Sequence, residues 1–179
     1  SNKEDNFKEK FKQALISTAK VISDDYNLDT KNIDKNLSSK NVNFFELDNL
    51  SKKSDFTRLR AETDSAALKK KFSDKYIYNK NLPNNSSCKS LYNIAEKIRC
   101  EMLGGKMLKG VEKNLNENYY QTINFKRKDQ LKSKDDVSIT EAFELYMLKN
   151  FFNLKLNPLT TKMLNFWEKD FNSSIGEHV

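Results

Sequence analysis

One histidine, two cysteines, two prolines and four glycines are all that the chain holds of the residue types that build many active sites and tight turns. The histidine, His178, stands next to the last residue, where chains are usually mobile. Catalysis of the Ser-His-Asp or Cys-His kind needs an imidazole held beside the nucleophile, so a catalytic triad is not expected. Structural zinc takes four nitrogen or sulfur ligands, and Cys88, Cys100 and His178 make three widely separated candidates. Twelve helical positions would hold the two cysteines about 18 Å apart, beyond disulfide reach, so both are read as reduced thiols.

The glycines Gly104, Gly105, Gly110 and Gly176 form no phosphate-binding GxxxxGK[ST] loop. The nearest imitation, "LGGKMLKG", lacks both the Ser/Thr and a preceding strand, so the chain is not expected to hold ATP by itself. No run approaches the roughly 20 apolar residues of a membrane helix, and no charged-then-apolar leader precedes Asp5, which predicts a cytoplasmic protein. Ser1 and Asn2, with no methionine ahead of them, read as the scar of a cleaved tag. Residues 1–4 are therefore set aside, and 5–179 are taken as one helical domain with one buried core.

What is plentiful is charge. There are 32 basic and 25 acidic side chains, for a net charge of +7. Lysine supplies nearly all the positive charge; the arginines are Arg58, Arg60, Arg99 and Arg127. A basic helical nucleic-acid binder is the competing functional class, carried by the lysine runs at 69–71 and 126–134. It would show affinity falling steeply with salt, but no recognised reading motif accompanies the charge, and surface solvation accounts for it. Asp24/Asp25 and Asp135/Asp136 read as solvated turn residues rather than as a divalent-ion site or a carboxylate enzyme.

The apolar periodicity predicts a mainly α fold of about five helices with a long central one. "FKEKFKQALISTAKVI" (7–22) places Phe7, Phe11, Ala14, Leu15, Thr18 and Ile22 at helical spacing. The polar excursion at 24–53 loses that period, and its β-prone run Val42–Leu47 would make a small β-hairpin. A second helix is expected from Ser54 or Asp55 to near Phe72, and a connector with a helical turn around Tyr76 follows. The third and longest helix, capped by Ser86 or Ser87, carries Leu91, Ala95, Ile98, Met102, Leu108, Val111 and Leu115 in one stripe about 36 Å long. Ser138 and Glu141 make a capping box for a fourth helix, and Asn157-Pro158 opens a fifth that carries Met163, Trp167 and Phe171. The i,i+3 and i,i+4 pairs Glu96/Arg99, Lys109/Glu112 and Arg60/Asp64 read as ordinary helix-surface pairing.

Glycine inside a helix costs roughly 1 kcal/mol against alanine, so Gly104, Gly105 and Gly110 raise the question of what they permit. Close approach of a neighbouring helix is glycine's usual use, and a kink near 104 and 105 is the other expectation.

The same helix carries Glu96, Arg99, Glu101, Gly104, Gly110, Val111, Asn114 and Leu115 in the order E-x-x-R-x-E-x-x-G-x(5)-G-V-x-x-N-L. This pattern resembles the amino-terminal region of the CobT family. "FKQALISTAKVIS" resembles that family's first helix, "RAETDSAALKKKFSD", with Arg60, Asp64, Leu68 and Asp74, its R-G-x-x-D-x-x-A-L segment, and "MLNFWEKDF" its closing run. The chain departs at Glu62, and many of the family's arginines stand here as lysines.

The resemblance implies a subunit of the aerobic, ATP-dependent cobaltochelatase, which works with a AAA+ subunit (CobS) and a large tetrapyrrole-binding subunit (CobN). That complex inserts Co2+ into hydrogenobyrinic acid a,c-diamide in cobalamin biosynthesis. ATP and Mg2+ would be held by the AAA+ subunit, and Co2+ and the corrinoid by the large one. This chain would then be non-catalytic by itself, without cofactor or metal. It would be an interaction region lacking the family's carboxy-terminal von Willebrand-type domain, with Arg60, Asp64, Glu96, Arg99, Glu101, Gly104, Gly110 and Asn114 as the candidate interaction positions.

Overall fold

The computed structural model describes residues 2–28, 52–124 and 131–176. Among these residues there are eight α-helices and no strand: α1 (Asn2–Ser23), α2 (Lys53–Phe72), α3 (Lys75–Asn81), α4 (Ser86–Met107), α5 (Lys109–Asn124), α6 (Ile139–Phe151), α7 (Pro158–Asn165) and α8 (Glu168–Ile175). A 3-10 turn, Lys134–Asp136, precedes α6. The expected count of five helices is thus corrected. No strand occurs among the described residues, and the run Val42–Leu47 of the hairpin expected in the 24–53 excursion lies outside them.

The count rises at three places, each with a local cause. The connector after α2 becomes α3 because the Asp74 carboxylate accepts the amide of Ile77 at 2.9 Å, closing the first turn. The fifth helix divides at Trp167, whose indole Nε1 donates to the carbonyl of Val137 at 3.0 Å. The long central helix breaks at Leu108, a residue in extended conformation (φ −132°, ψ 100°) that ends α4 and precedes α5. Its amide still donates to Gly104 O at 2.9 Å, and its own carbonyl accepts from Val111 N at 3.0 Å and Glu112 N at 3.1 Å. The joint is therefore a hydrogen-bonded corner. Past it the chain turns back, so that Tyr119 reaches Glu101, eighteen residues earlier. In one straight helix those residues would lie about 27 Å apart.

Other helix ends follow the sequence more closely. Ser138 and Glu141 form the expected capping box, with Glu141 N donating to Ser138 Oγ at 3.2 Å. Asn157 caps α7 through Thr160 N at 2.8 Å, with Pro158 in the first turn. The cap of α4 is Asn85 rather than Ser86 or Ser87; its Oδ1 accepts from Ser87 N at 2.8 Å and Cys88 N at 3.2 Å. α2 starts at Lys53, with the Asp55 carboxylate accepting Lys52 N at 3.1 Å.

The helices bury two apolar clusters. In the first, Leu15, Ile16, Ala19 and Ile22 of α1 meet Leu59, Ala66, Ala67 and Leu68 of α2, with Cys100 of α4 and Val111 and Leu115 of α5. In the second, Ile98 of α4 and Tyr119 and Ile123 of α5 meet α6, α7 and α8 around Tyr146, Leu148, Met163 and Phe171. Burying one such leucine or isoleucine stabilises the fold by about 1.5–3 kcal/mol. The α4–α5 pair thus contributes one set of side chains to each cluster and couples them. Phe7, expected on the buried stripe of α1, is 56% exposed and packs edge-on to Phe56, with ring centroids 5.5 Å apart.

Candidate functional site

The residues of the long-helix pattern converge with those of α2 at the seam where α2 meets α4 and α5. Asp64 is fully buried in α2, and its Oδ2 accepts a hydrogen bond from Asn114 Nδ2 of α5 at 3.2 Å. Its other oxygen, Oδ1, is buried without a hydrogen-bond partner, as is Nε of Arg60 one helical turn earlier. Arg60 and Asp64 therefore do not make the paired bond expected from their spacing, and Arg60 acts on Asp64 only through its field. Burial lifts the Asp64 carboxyl from its ordinary 3.8 to about 6, against the opposing pull of Asn114 and Arg60.

Glu101 is the second buried acid, 1% exposed, where the two apolar clusters come together. Ser65 of α2 donates to its Oε1 at 2.5 Å, the Tyr119 hydroxyl of α5 donates to its Oε2, and Lys97 approaches to 3.9 Å. Burial raises the carboxyl of Glu101 above the usual range, and burial beside Glu101 holds the phenol of Tyr119 well above its own. One carboxylate thereby accepts a donor from each of two neighbouring helices, which is what a buried anion requires.

Glu96 and Arg99 do pair as expected: Arg99 donates from Nε at 2.9 Å and from Nη2 at 2.7 Å to the two oxygens of Glu96. That bond holds the Glu96 carboxyl below its usual range. Arg99 Nη2 also donates to the carbonyl of Phe72 at 2.9 Å, giving a partner to one of the free carbonyls at the end of α2. Lys109 and Glu112 form no ion pair among the described residues.

Gly104 and Gly105 each lie against a neighbour, and Gly110 does not. A methyl group built on Gly104 would lie 2.2 Å from Leu68 Cδ2, so α2 packs directly on the backbone of α4 there. At Gly105 the nearest atom would be Glu112 Cβ at 3.3 Å, across the corner at Leu108. Close approach and a bend are both present, but the bend lies at Leu108 rather than at 104 and 105. At Gly110 an added Cβ would have nothing within 4 Å, so no close approach calls for a glycine there.

Ser65 and Tyr119 take part without having been singled out, and Leu108 was expected only as one position of the apolar stripe. Of Ser65 and Tyr119, the latter left a trace in the sequence, as an apolar position four residues after Leu115. The acidic pairs serve the fold: Asp24 and Asp25 bind Lys71 and Lys70, and Asp136 accepts the amides of Lys132 at 2.9 Å and Ser133 at 2.8 Å. With Lys69 over the ring of Tyr78, every lysine of the 69–71 run has an internal contact. Among the described residues no group of three or more His, Cys, Asp or Glu could hold a metal ion, and no helix is long and apolar enough to cross a membrane.

Comparison with curated proteins and with solved structures yields no match in either set. The family model described as "Cobalamin biosynthesis protein CobT" matches residues 5–179, so a buried seam assembled from that family's helix pattern and a match over nearly the whole length agree: this chain belongs to the CobT family.

Proposed function

We propose that this chain is the interaction and scaffold region of a cytoplasmic cobaltochelatase subunit, supporting ATP-dependent insertion of Co2+ into hydrogenobyrinic acid a,c-diamide. One observation carries the reading beyond family membership. The pattern residues are spent on holding α2, α4 and α5 together: Asp64 on Asn114, Glu101 on Ser65 and Tyr119, Arg99 on the end of α2, Gly104 under Leu68. A fold that uses its most specific residues to fix helix geometry is suited to presenting a surface. In this reading residues 5–179 act as one helical domain, the AAA+ subunit supplies ATP hydrolysis with Mg2+, and the large subunit supplies the corrinoid and cobalt sites. The chain couples the two.

The test is size-exclusion chromatography with light scattering of this chain mixed with the AAA+ subunit, with and without Mg-ATP, and separately with the large subunit. Co-elution with either supports the scaffold role. Separate elution in every mixture, or ATP hydrolysis or cobalt insertion by the chain alone, overturns it.

A further inference from the structure

The first turns of α5 lie between an open corner and a firm anchor. Residues 106–110 are exposed, Leu108 is extended, and an added Cβ at Gly110 would meet nothing within 4 Å. Glycine gains the most backbone freedom when a helix unwinds, so α5 is weakest at this end. Further along, Leu115 is buried in the first cluster and Tyr119 is bonded to Glu101. Among residues 109–114, Val111 is buried, Asn114 is half-buried and the rest are exposed. Their one hydrogen bond to α2 runs from Asn114 to Asp64 Oδ2, and Asp64 Oδ1 has no partner in this closed arrangement. Charge reaches the carboxyl from Arg60 of its own helix. Of the helices packed on α2, α1 presents Leu15, Ile16, Ala19 and Ile22, Glu101 of α4 is held by Ser65 and Tyr119, and Lys113 and Glu117 of α5 pair with each other at 4.0 Å. The seam thus offers Oδ1 no donor, whereas an ionised carboxylate buried there needs both oxygens bonded.

We propose that residues 109–114 are a proton-gated flap: they lie closed on α2 while the Asp64 carboxyl is neutral, and unwind from the corner at Leu108 and Gly110 when it ionises. Opening lets water reach Oδ1 and so satisfies the anion that the closed seam leaves short of a donor. It also bares Val111 and the α2 surface beneath it, so the molecule presents a different face at that end. The sign follows from burial. Closed, the carboxyl titrates at about 6, and in water it returns to its ordinary 3.8. Below 3.8 both states hold the proton and acidity has no effect; between 3.8 and about 6 the open state releases it first, and above that the bias is constant. From pH 5 to 7.5 the opening equilibrium therefore rises about tenfold. The flap operates whichever partner the chain binds.

The experiment follows native-state hydrogen exchange of the full chain by NMR from pH 5 to 7.5, in low concentrations of urea, with each rate corrected for its intrinsic pH dependence. Amides of residues 111–114 should lose protection about tenfold over that range. They should also depend less on urea than amides of α7, because a local opening exposes little surface. D64N should hold its protection constant across the same range. R60Q, at a half-buried position, removes the cation that opposes the upward shift and should move the midpoint of the change to higher pH. Constant protection in the unaltered chain would mean that the anion is satisfied in place, and would overturn the flap. So would a D64N chain that still loses protection about tenfold, or amides 111–114 as sensitive to urea as those of α7, which would make the opening global unfolding. If D64N does not fold, R60Q decides: a midpoint that stays where it was overturns the gate.

Discussion

Gly104 lies directly beneath Leu68: a Cβ at that position would sit 2.2, 2.4 and 2.8 Å from three carbons of a side chain that is itself fully buried. A Cβ at that distance forces the buried Leu68 side chain to shift within the core, so the contact behaves as overpacking. G104A should therefore lose about 0–2 kcal/mol, the cost of overpacking at about 1–3 kcal/mol less the gain of roughly 1 kcal/mol in helix propensity. G110A meets nothing and should be neutral or slightly stabilising. Thermal unfolding of the two variants checks this, and a melting temperature for G104A at or above that of G110A would refute the packing account.

Asp64 makes stability depend on pH in a defined direction. Below about pH 3.8 the carboxyl is protonated in both folded and unfolded chains, and the group makes no difference. Between 3.8 and about 6 the folded chain keeps a proton that the unfolded chain releases, so stability falls as pH rises. Above that window the fold holds a buried anion at a cost of about 3 kcal/mol. D64N keeps an oxygen for Asn114 and removes the charge. Denaturant titrations from pH 4 to 8 should show D64N gaining on the unaltered chain as pH rises and the slope over that window flattening; parallel curves would remove Asp64 as its source.

Glu101 joins α2 and α5 through Ser65 and Tyr119, so removing either donor should weaken the bond that remains. Y119F is expected to cost about 1–3 kcal/mol, because it leaves a buried carboxylate short of a donor. A double-mutant cycle of S65A with Y119F should be non-additive by at least about 0.5 kcal/mol. Additive losses would mean that the two hydroxyls serve Glu101 independently.

The cysteines provide a test of the corner and its packing. Cys88 is exposed and Cys100 fully buried, with burial beside Glu96 lifting the Cys100 thiol to about 11. A thiol-specific reagent should titrate one group rapidly in the native chain and the second only in denaturant. Two rapidly reacting thiols would show that the seam around Cys100 is open.

Helical class was legible because the relevant interactions are local. Ser138 and Glu141 lie within one turn of each other, and Pro158 fits the first turn of a helix wherever the helix sits. The joint at Leu108 was not legible: Leu91 through Leu115 keep steps of three and four with one skip at Gly105, and no proline marks it. Of the candidate site, the pairing of Glu96 with Arg99 was readable from their spacing. The partners of Asp64 and Glu101 come from other helices, fifty positions along the chain at Asn114 and thirty-six back at Ser65.

Sequence alone determined the helical composition, the family pattern from Glu96 to Leu115, and which residue types were too scarce for a triad or a zinc site, because each depends on residue identity and short-range spacing. Tertiary structure decided that α5 turns back on α4, that Asp64 and Glu101 are buried while a side chain at Gly110 would meet open space, and that Tyr76 and Ile77 face outward. Burial is a property of which surfaces meet, and the same apolar spacing serves equally for a face turned toward a neighbour and one turned toward solvent.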